Sequence, residues 1–214
     1  MNKAKDAGSY RLISPDHLKK PGRKFWQIDK NIYSRGAGIK FVNKALLTKF
    51  SGLVILGPPP GTRGFPDYPE APIILIDKKL GKPPRDLELF GCYWLVSAKA
   101  KNLFESLDHQ AFSFCKCETR FPDGTEGPEY WLCDVLPMLD AVDEENSIVK
   151  IIIEKNGGKY YSFVGNHDVK IREDIVSNHK IFRLLYHWSV VICDNSFKTA
   201  CKELKNVGFY PLKR

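Results

Sequence analysis

The sequence lacks any long hydrophobic run. No stretch approaches the roughly 20 apolar residues that a membrane-spanning helix requires, although 43% of the 214 residues are hydrophobic and 27% are charged, as in a soluble globular protein. The first residues, MNKAKDAGSYRLISPD, are charged and contain no apolar segment that could serve as a secretory signal. We therefore expect a cytoplasmic protein with no membrane partner.

The common signatures of nucleotide, hydrolase and metal sites are also missing. The GPPPG of residues 57–61 is not followed by the Gly-Lys-Ser/Thr of a phosphate-binding loop, and no Gly-x-Ser-x-Gly element places a nucleophile. Cys115 and Cys117 share one face of a predicted strand, but the other candidate ligands, Cys92 and Cys133, lack a paired spacing. Because no export signal is present, the cysteines are interpreted as reduced core thiols. We expect no cofactor, no metal and no catalytic activity.

One dipeptide keeps an enzymatic alternative open. His167 and Asp168 form a His-Asp pair of the kind found in metal phosphohydrolases, and His179 follows twelve residues later. Those enzymes hold further ligands on helices, whereas this pair follows a Gly-Asn turn after a strand. An uncharacterised hydrolase is therefore retained only as an alternative.

The net charge of +8 is distributed unevenly. Residues 1–66 contain thirteen Lys and Arg against three acids, whereas residues 118–145 contain nine acids and one Arg. Surface charge of one sign steers the encounter with a partner of the opposite sign. A basic flank and an acidic segment on one chain therefore indicate macromolecular partners, although solvated surfaces explain both segments equally well.

The acidic segment supplies the candidate contact residues. Four of its carboxylates lie within residues 140–145, where mutual repulsion favours a surface connection. The full set of candidates is Glu118, Asp123, Glu126, Glu129, Asp134, Asp140, Asp143, Glu144 and Glu145.

A strand-helix-strand unit occurs twice, with an offset of ninety-seven positions. YWLVSAKAKNLFESLDHQAFSF begins at Tyr93 and aligns without a gap with the segment beginning at Val190. In each copy a strand-like run precedes a polar capping residue, Ser97 or Asp194, and an apolar stripe at helical spacing follows. Each helix has only one apolar face, so both are expected to pack on a sheet and to serve as framework.

The remaining patterns mainly predict strands. Short β-branched or aromatic runs lie at 53–56, 73–76, 113–117, 130–133, 148–153 and 159–164. Residues 148–164 predict a hairpin that turns at 156–158, residues 42–50 predict a helix, and the glycine- and proline-rich residues 57–72 predict a loop. We expect an α+β fold of mostly antiparallel sheets with a few helices packed on them. Residues 1–72 are expected to form a basic subdomain and residues 73–214 the main domain, unless the two form one continuous fold.

Residues 86–214 resemble the bacterial immunity proteins of immunity family eleven, which protect cells from toxins of polymorphic and type VI secretion systems. The resemblance rests on WLVSAKAKNLFESL, EYWLCDVLPMLDAVD, Ser147, IFRLLYHWSVVICDNSFKTACKELK and VGFYPL, in that order. It implies a protein that binds and neutralises one cognate toxin by occluding its active site. The toxins of this family are thought to include nucleases, so the acidic segment is expected to substitute for nucleic-acid phosphates.

The basic flank supports two further interpretations. If the toxin is acidic, Lys19, Lys20, Arg23 and Lys24 are the expected contacts. Alternatively the chain binds nucleic acid, because the aromatic residues Phe25, Trp26 and Tyr33 lie among these basic residues. Since no known nucleic-acid module is recognisable, this second interpretation is less favoured.

Overall fold

The computed structural model describes residues 22–51, 56–58, 61–155 and 157–213. The strands are β1 Phe25–Lys30, β2 Ile39–Phe41, β3 Ile73–Ile76, β4 Leu87–Phe90, β5 Tyr93–Ser97, β6 Phe112–Lys116, β7 Glu118–Arg120, β8 Tyr130–Val135, β9 Met138–Leu139, β10 Lys150–Ile153, β11 Lys159–Ser162, β12 Ile181–Leu184, β13 His187–Asp194 and β14 Val207–Pro211. The helices are α1 Lys44–Ser51, α2 Ala98–Leu107, α3 Glu173–Val176 and α4 Asn195–Ala200, which continues into a 3₁₀ turn, Cys201–Glu203. Lys19 and Lys20 of the basic flank, and most of the strand predicted at 53–56, lie outside the described residues.

The strands form three sheets and a separate hairpin. Sheet 1 has the order β14-β1-β13-β12-β9, sheet 2 the order β4-β5-β8-β6 and sheet 3 the order β2-β3-β7, while β10 pairs with β11. Between named strands of the described residues, only the β12–β9 and β3–β7 pairs are parallel. The predicted α+β class with mostly antiparallel sheets is confirmed.

Strands from both sides of residue 72 share sheets. β1 lies between β13 and β14 in sheet 1, and β2 pairs with β3 in sheet 3. Residues before and after position 72 are therefore joined by strand pairing in two of the sheets.

The two strand-helix-strand units have the same topology. In the first unit β5 leads through α2 to β6, and both strands flank β8 in antiparallel register. In the second unit β13 leads through α4 to β14, and both strands flank β1 in antiparallel register. Each unit therefore holds a strand from elsewhere in the chain between its own two strands.

Both predicted helix caps are present. The Ser97 hydroxyl oxygen accepts a hydrogen bond from the amide of Ala100 at 3.2 Å, and the Asp194 carboxylate accepts one from the amide of Phe197 at 2.9 Å. These bonds satisfy amides in the first helical turn that have no partner within the helix. Local sequence thus determines where α2 and α4 begin.

The helices of the two units share one core. The rings of Phe104 on α2 and Phe197 on α4 lie 5.5 Å apart, and Phe112 of β6 stacks on Phe104 at 5.1 Å. All three side chains are buried in a cluster that also contains residues of β1, β8 and β12. The apolar faces of both helices are therefore covered, as the helical spacing of their apolar residues predicted.

Local patterns also predicted smaller elements. The helix expected at 42–50 is α1, and the hairpin expected at 148–164 is formed by β10 and β11. Gly157, between these strands, has φ +83°, a conformation that glycine adopts without steric strain. The described residues of the 57–72 loop contain no helix or strand, as their glycines and prolines predict.

A buried carboxylate joins sheet 1, sheet 2 and this loop. Asp134 on β8 is fully buried and accepts hydrogen bonds from Arg63 of the loop, from the amide of Gly64 at 2.7 Å, and from Arg183 of β12 at 3.2 Å. Arg183 also donates to the carbonyl oxygens of Val135 at 3.1 Å and Trp188 at 2.9 Å. Burial lowers the pKa of both guanidinium groups to about 10, so both remain charged at neutral pH.

Asp134 therefore does not belong with the candidate surface contacts. The sequence grouped it with the acidic segment because it lies between Glu129 and Asp140, but β8 carries it into the interior. A carboxylate without solvent exposure that already binds two arginines is not available to a partner protein.

We predict that Asp134→Asn destabilises the protein strongly. The substitution keeps the side-chain shape but leaves the buried Arg183 and the largely buried Arg63 without this counter-charge, which costs about 3–5 kcal/mol of unfolding free energy. Urea unfolding measures the loss. Asp123→Asn on the exposed turn after β7 is the matched control, and we expect it to change the free energy of unfolding by no more than about 0.5 kcal/mol. Equal stability of the two variants would contradict the role assigned to Asp134.

Candidate functional site

The remaining acidic candidates lie in two surface groups. One group surrounds β7 and the turn that follows it; we call it the β7 acidic group, and it consists of Glu118, Asp123, Glu126 and Glu129. The other lies between β9 and β10, where it faces α3; we call this surface the acidic groove, and its carboxylates are Asp140, Asp143, Glu144, Glu145, Glu173 and Asp174.

Backbone pairing brings the two sides of the acidic groove together. Val142 forms an antiparallel bridge with Ile171, and the amide of Arg172 donates to the carbonyl of Ala141 at 2.8 Å. These bonds place the segment 140–145 beside the start of α3. As a result, Glu173 and Asp174, which the sequence analysis did not select, add two carboxylates to the predicted four.

The acidic groove carries a large excess of negative charge. Its lining contains six carboxylates and one guanidinium, that of Arg172, which pairs with Asp174 at 2.8 Å. Asp143 accepts hydrogen bonds from the amide and the side chain of Asn146, at 3.2 and 2.8 Å, and these bonds fix the turn that carries Glu144 and Glu145. The groove thus presents several carboxylates from an ordered backbone.

Glu144 differs from its neighbours because it also anchors the hairpin. Its carboxylate pairs with Lys159 and accepts a hydrogen bond from the hydroxyl of Tyr161, both on β11. These two hydrogen bonds lower the pKa of Glu144, whereas burial, followed by the bond to Glu144, raises the pKa of Tyr161. Glu144 therefore links the acidic groove to the β10–β11 hairpin.

The β7 acidic group is more nearly neutralised. Glu118 pairs with Arg120, and Glu129 pairs with Lys116 at 3.2 Å. Asp123 accepts hydrogen bonds from the amide and hydroxyl of Thr125, at 3.0 and 2.6 Å, which lower its pKa. Since neighbouring cations offset part of its charge, this group exerts a weaker field than the acidic groove.

Four of the six cysteines are buried, and Cys92 and Cys115 are half-buried. Cys117 and Cys133 are buried in different clusters, and burial raises the pKa of both thiols and of Cys115. All six are free thiols. In the described part of the chain, no group of three or more His, Cys, Asp or Glu side chains is arranged to hold a metal ion.

The His167-Asp168 dipeptide makes structural contacts. Asp168 pairs with Lys170 at 2.7 Å and Lys213 at 3.2 Å, and these hydrogen bonds lower its pKa. The ring of His167 stacks on Phe163 with 5.4 Å between centroids, and its Nδ1 lies 3.1 Å from the carbonyl oxygen of Gly165. The backbone of Asp168 bridges Ile148 and Lys213.

Part of the basic flank is packed against sheet 1, whereas Lys24 and Tyr33 are exposed. Arg23 donates to Asp194 at 2.8 Å and to the carbonyl oxygens of Ser177 and His179, each at 2.6 Å. Phe25 packs against the cluster around Phe182. These contacts engage residues that the sequence analysis had considered as partner contacts or base-stacking platforms.

An aromatic cleft of about 780 Å³ lies beside β1, β11 and β13. Tyr33 and Trp188, both in its lining, are 88% and 45% exposed. Asp29 also lines the cleft, and burial raises the pKa of its carboxyl group. Exposed Tyr and Trp are enriched at protein interfaces. No sequence pattern indicates this cleft, because alternation along a strand does not reveal which face is left uncovered.

Comparison with known proteins gives one finding about the family. A family model described as an immunity protein family (Imm11) matches residues 24–213, which include every strand from β1 to β14. No curated protein matches the chain. In the part of the chain that the structure describes, no helix is both long and apolar enough to cross a membrane.

We predict that Glu144→Gln loosens the β10–β11 hairpin while the rest of the fold stays intact. The substitution removes the charge that pairs with Lys159, an exposed interaction worth less than about 1 kcal/mol, so the effect is local. Hydrogen exchange of residues 150–162 measures it, with faster exchange expected in the variant. Glu145→Gln, which removes a neighbouring charge with no hairpin contact, is the control. Equal exchange rates in the two variants would refute the anchoring role.

Proposed function

The chain belongs to the Imm11 immunity protein family, and from this premise we propose that it neutralises its cognate toxin by binding over the toxin's active site. The family match, which extends over residues 24–213, is the observation that carries the proposal. Neutralisation of this kind consumes no substrate, and the protein acts without a catalytic reaction of its own.

The acidic groove is the contact surface that we propose for the toxin. Its carboxylates outnumber its single guanidinium six to one, and long-range attraction between opposite charges accelerates association. The exposed carboxylates Asp140 and Glu145 have no ion pair within the described residues, so their charge is available to a basic partner. The β7 acidic group is proposed as a peripheral contact, since Lys116 and Arg120 offset part of its charge.

The chemistry of the groove favours a nuclease as the toxin. A nuclease binds the phosphates of its substrate in a basic cleft, and a surface of closely spaced carboxylates has the sign required to occupy that cleft. Such a toxin would act on nucleic acid in the cytoplasm, so we propose that the protein works there, as part of a polymorphic or type VI toxin system.

Two matched triple variants test which acidic surface contacts the toxin. The groove variant combines Asp140→Asn, Asp143→Asn and Glu145→Gln; it spares Glu144 because that residue anchors the hairpin. We expect it to slow association at low salt by about 10-fold, because the steering field is reduced, with a smaller change in dissociation. Surface plasmon resonance with the product of the neighbouring toxin reading frame measures both rates.

The control variant combines Asp123→Asn, Glu126→Gln and Glu129→Gln in the β7 acidic group. It removes the same amount of charge from the same protein, so an effect of net charge alone would slow both variants equally. We expect at most about a 3-fold change in association. If neither variant alters association while urea unfolding shows both intact, the acidic surfaces are not the toxin contact.

A second prediction concerns the mode of inhibition. If the protein covers a nuclease active site, nucleic acid and the protein compete for one surface, and the apparent inhibition constant increases linearly with the nucleic-acid concentration. Cleavage assays at several substrate concentrations measure this dependence. An inhibition constant that does not change with substrate concentration would refute occlusion of the active site.

A further inference from the structure

The β10 strand is an uncovered sheet edge. In the described part of the chain β10 pairs only with β11, and all four of its residues are exposed, with Ile153 66% exposed. On its other side β11 is tied to the body of the protein, because the amide of Tyr161 donates to the carbonyl of Tyr186 at 2.8 Å. The body thus holds β11, and β10 faces outward.

The hydrogen-bond pattern shows which backbone groups of β10 point outward. The amide of Glu154 donates to the carbonyl of Gly158 at 2.8 Å, and Ile152 lies opposite Tyr160. Because hydrogen-bonded pairs alternate along an antiparallel ladder, the amide and carbonyl groups of Ile151 and Ile153 point away from β11. Within the described residues, these groups have no partner.

The residues along this edge can pair favourably with a second, antiparallel copy of the same strand. Residues 150–154 read KIIIE. When two such strands run antiparallel with Ile152 opposite Ile152, Lys150 of each lies opposite Glu154 of the other, and the remaining isoleucines face each other. Opposite charges placed directly across an antiparallel pair are stabilising. A lysine on an edge strand usually discourages pairing, but here Glu154 supplies the matching charge.

We propose that two copies of this protein associate through their β10 strands, antiparallel and centred on Ile152. In this register the outward amides of Ile151 and Ile153 of each copy donate to the outward carbonyls of Ile153 and Ile151 of the other. The two hairpins then form one four-stranded sheet with the order β11-β10-β10-β11, related by a two-fold axis.

The charges favour a second copy over an unrelated strand as the occupant. Lys150 and Glu154 are both exposed, and neither forms an ion pair with another described residue. Any extended strand could satisfy the backbone groups, but a second copy also matches both charges and covers the isoleucines. Since two short strands bury less than the standard interface of about 1,600 Å², we expect a dissociation constant on the order of 100 µM.

Charge reversal tests the register. Sedimentation equilibrium of the full chain over concentrations bracketing about 100 µM measures the dissociation constant. Lys150→Glu alone, or Glu154→Lys alone, places like charges opposite each other at both ends of the pairing, so each should weaken association by about 10-fold. The double variant Lys150→Glu with Glu154→Lys restores the pairing and should return within about 3-fold of the original value.

A backbone probe tests the edge itself. Ile153→Pro removes an outward amide that the hairpin does not use, so the fold should persist while association is lost. Ile153→Thr, which keeps the amide, is the matched control and should retain most of the association. Hydrogen exchange of β11 verifies that the hairpin remains folded in both variants.

Three outcomes would overturn the proposal. The first is a protein that stays monomeric up to about ten times the expected dissociation constant. The second is a dimer that none of the charge or proline variants affects, since its interface would lie elsewhere. The third is a monomer whose toxin binding is lost with Ile153→Pro, since the occupant of the edge would then be the toxin. None of these results bears on whether the protein is an immunity protein.

Discussion

The Asp134 carboxylate forms ion pairs with two guanidinium groups that come from distant parts of the chain. Arg63 lies 71 positions before it and Arg183 lies 49 positions after it. Removing these three charges from water costs several kcal/mol for each ion, and this cost is offset only while the three groups remain in contact. Sheet 1, sheet 2 and the glycine- and proline-rich loop are therefore held in one arrangement, because any displacement would leave a buried charge unpaired.

The surface available to a partner follows from the way the interior is filled. The helices α2 and α4 pack their apolar faces against each other and against the sheets, where the rings of Phe104, Phe112 and Phe197 are in contact. Two kinds of segment lie outside this core. The connections between strands carry the acidic groove, and the β10–β11 hairpin has an unpaired strand edge. The repeated units thus form the framework, and both surfaces that we propose for recognition lie in segments that do not belong to the repeat.

Sequence patterns predicted the features that depend on neighbouring residues. The caps at Ser97 and Asp194, the two repeated units and the hairpin all follow from periodicity and turn chemistry within short windows. The burial of Asp134 did not follow, because its environment depends on arginines far along the chain. For the same reason only four of the six carboxylates of the acidic groove were predicted, since Glu173 and Asp174 join it through pairing of the backbone at Val142 and Ile171. The double role of Glu144 likewise depends on its contact with Lys159.

The position of β1 between β13 and β14 has a consequence during synthesis. Lys30 is hydrogen-bonded to Tyr210, 180 positions later. The β1 strand therefore leaves the ribosome long before the strands that pair with it have been translated. Sheet 1 cannot close around β1 until those segments have emerged, and pairings of such long range form slowly. A nascent chain that ends before β13 would expose both edges of β1, so sheet 1 is complete only after translation has passed β14.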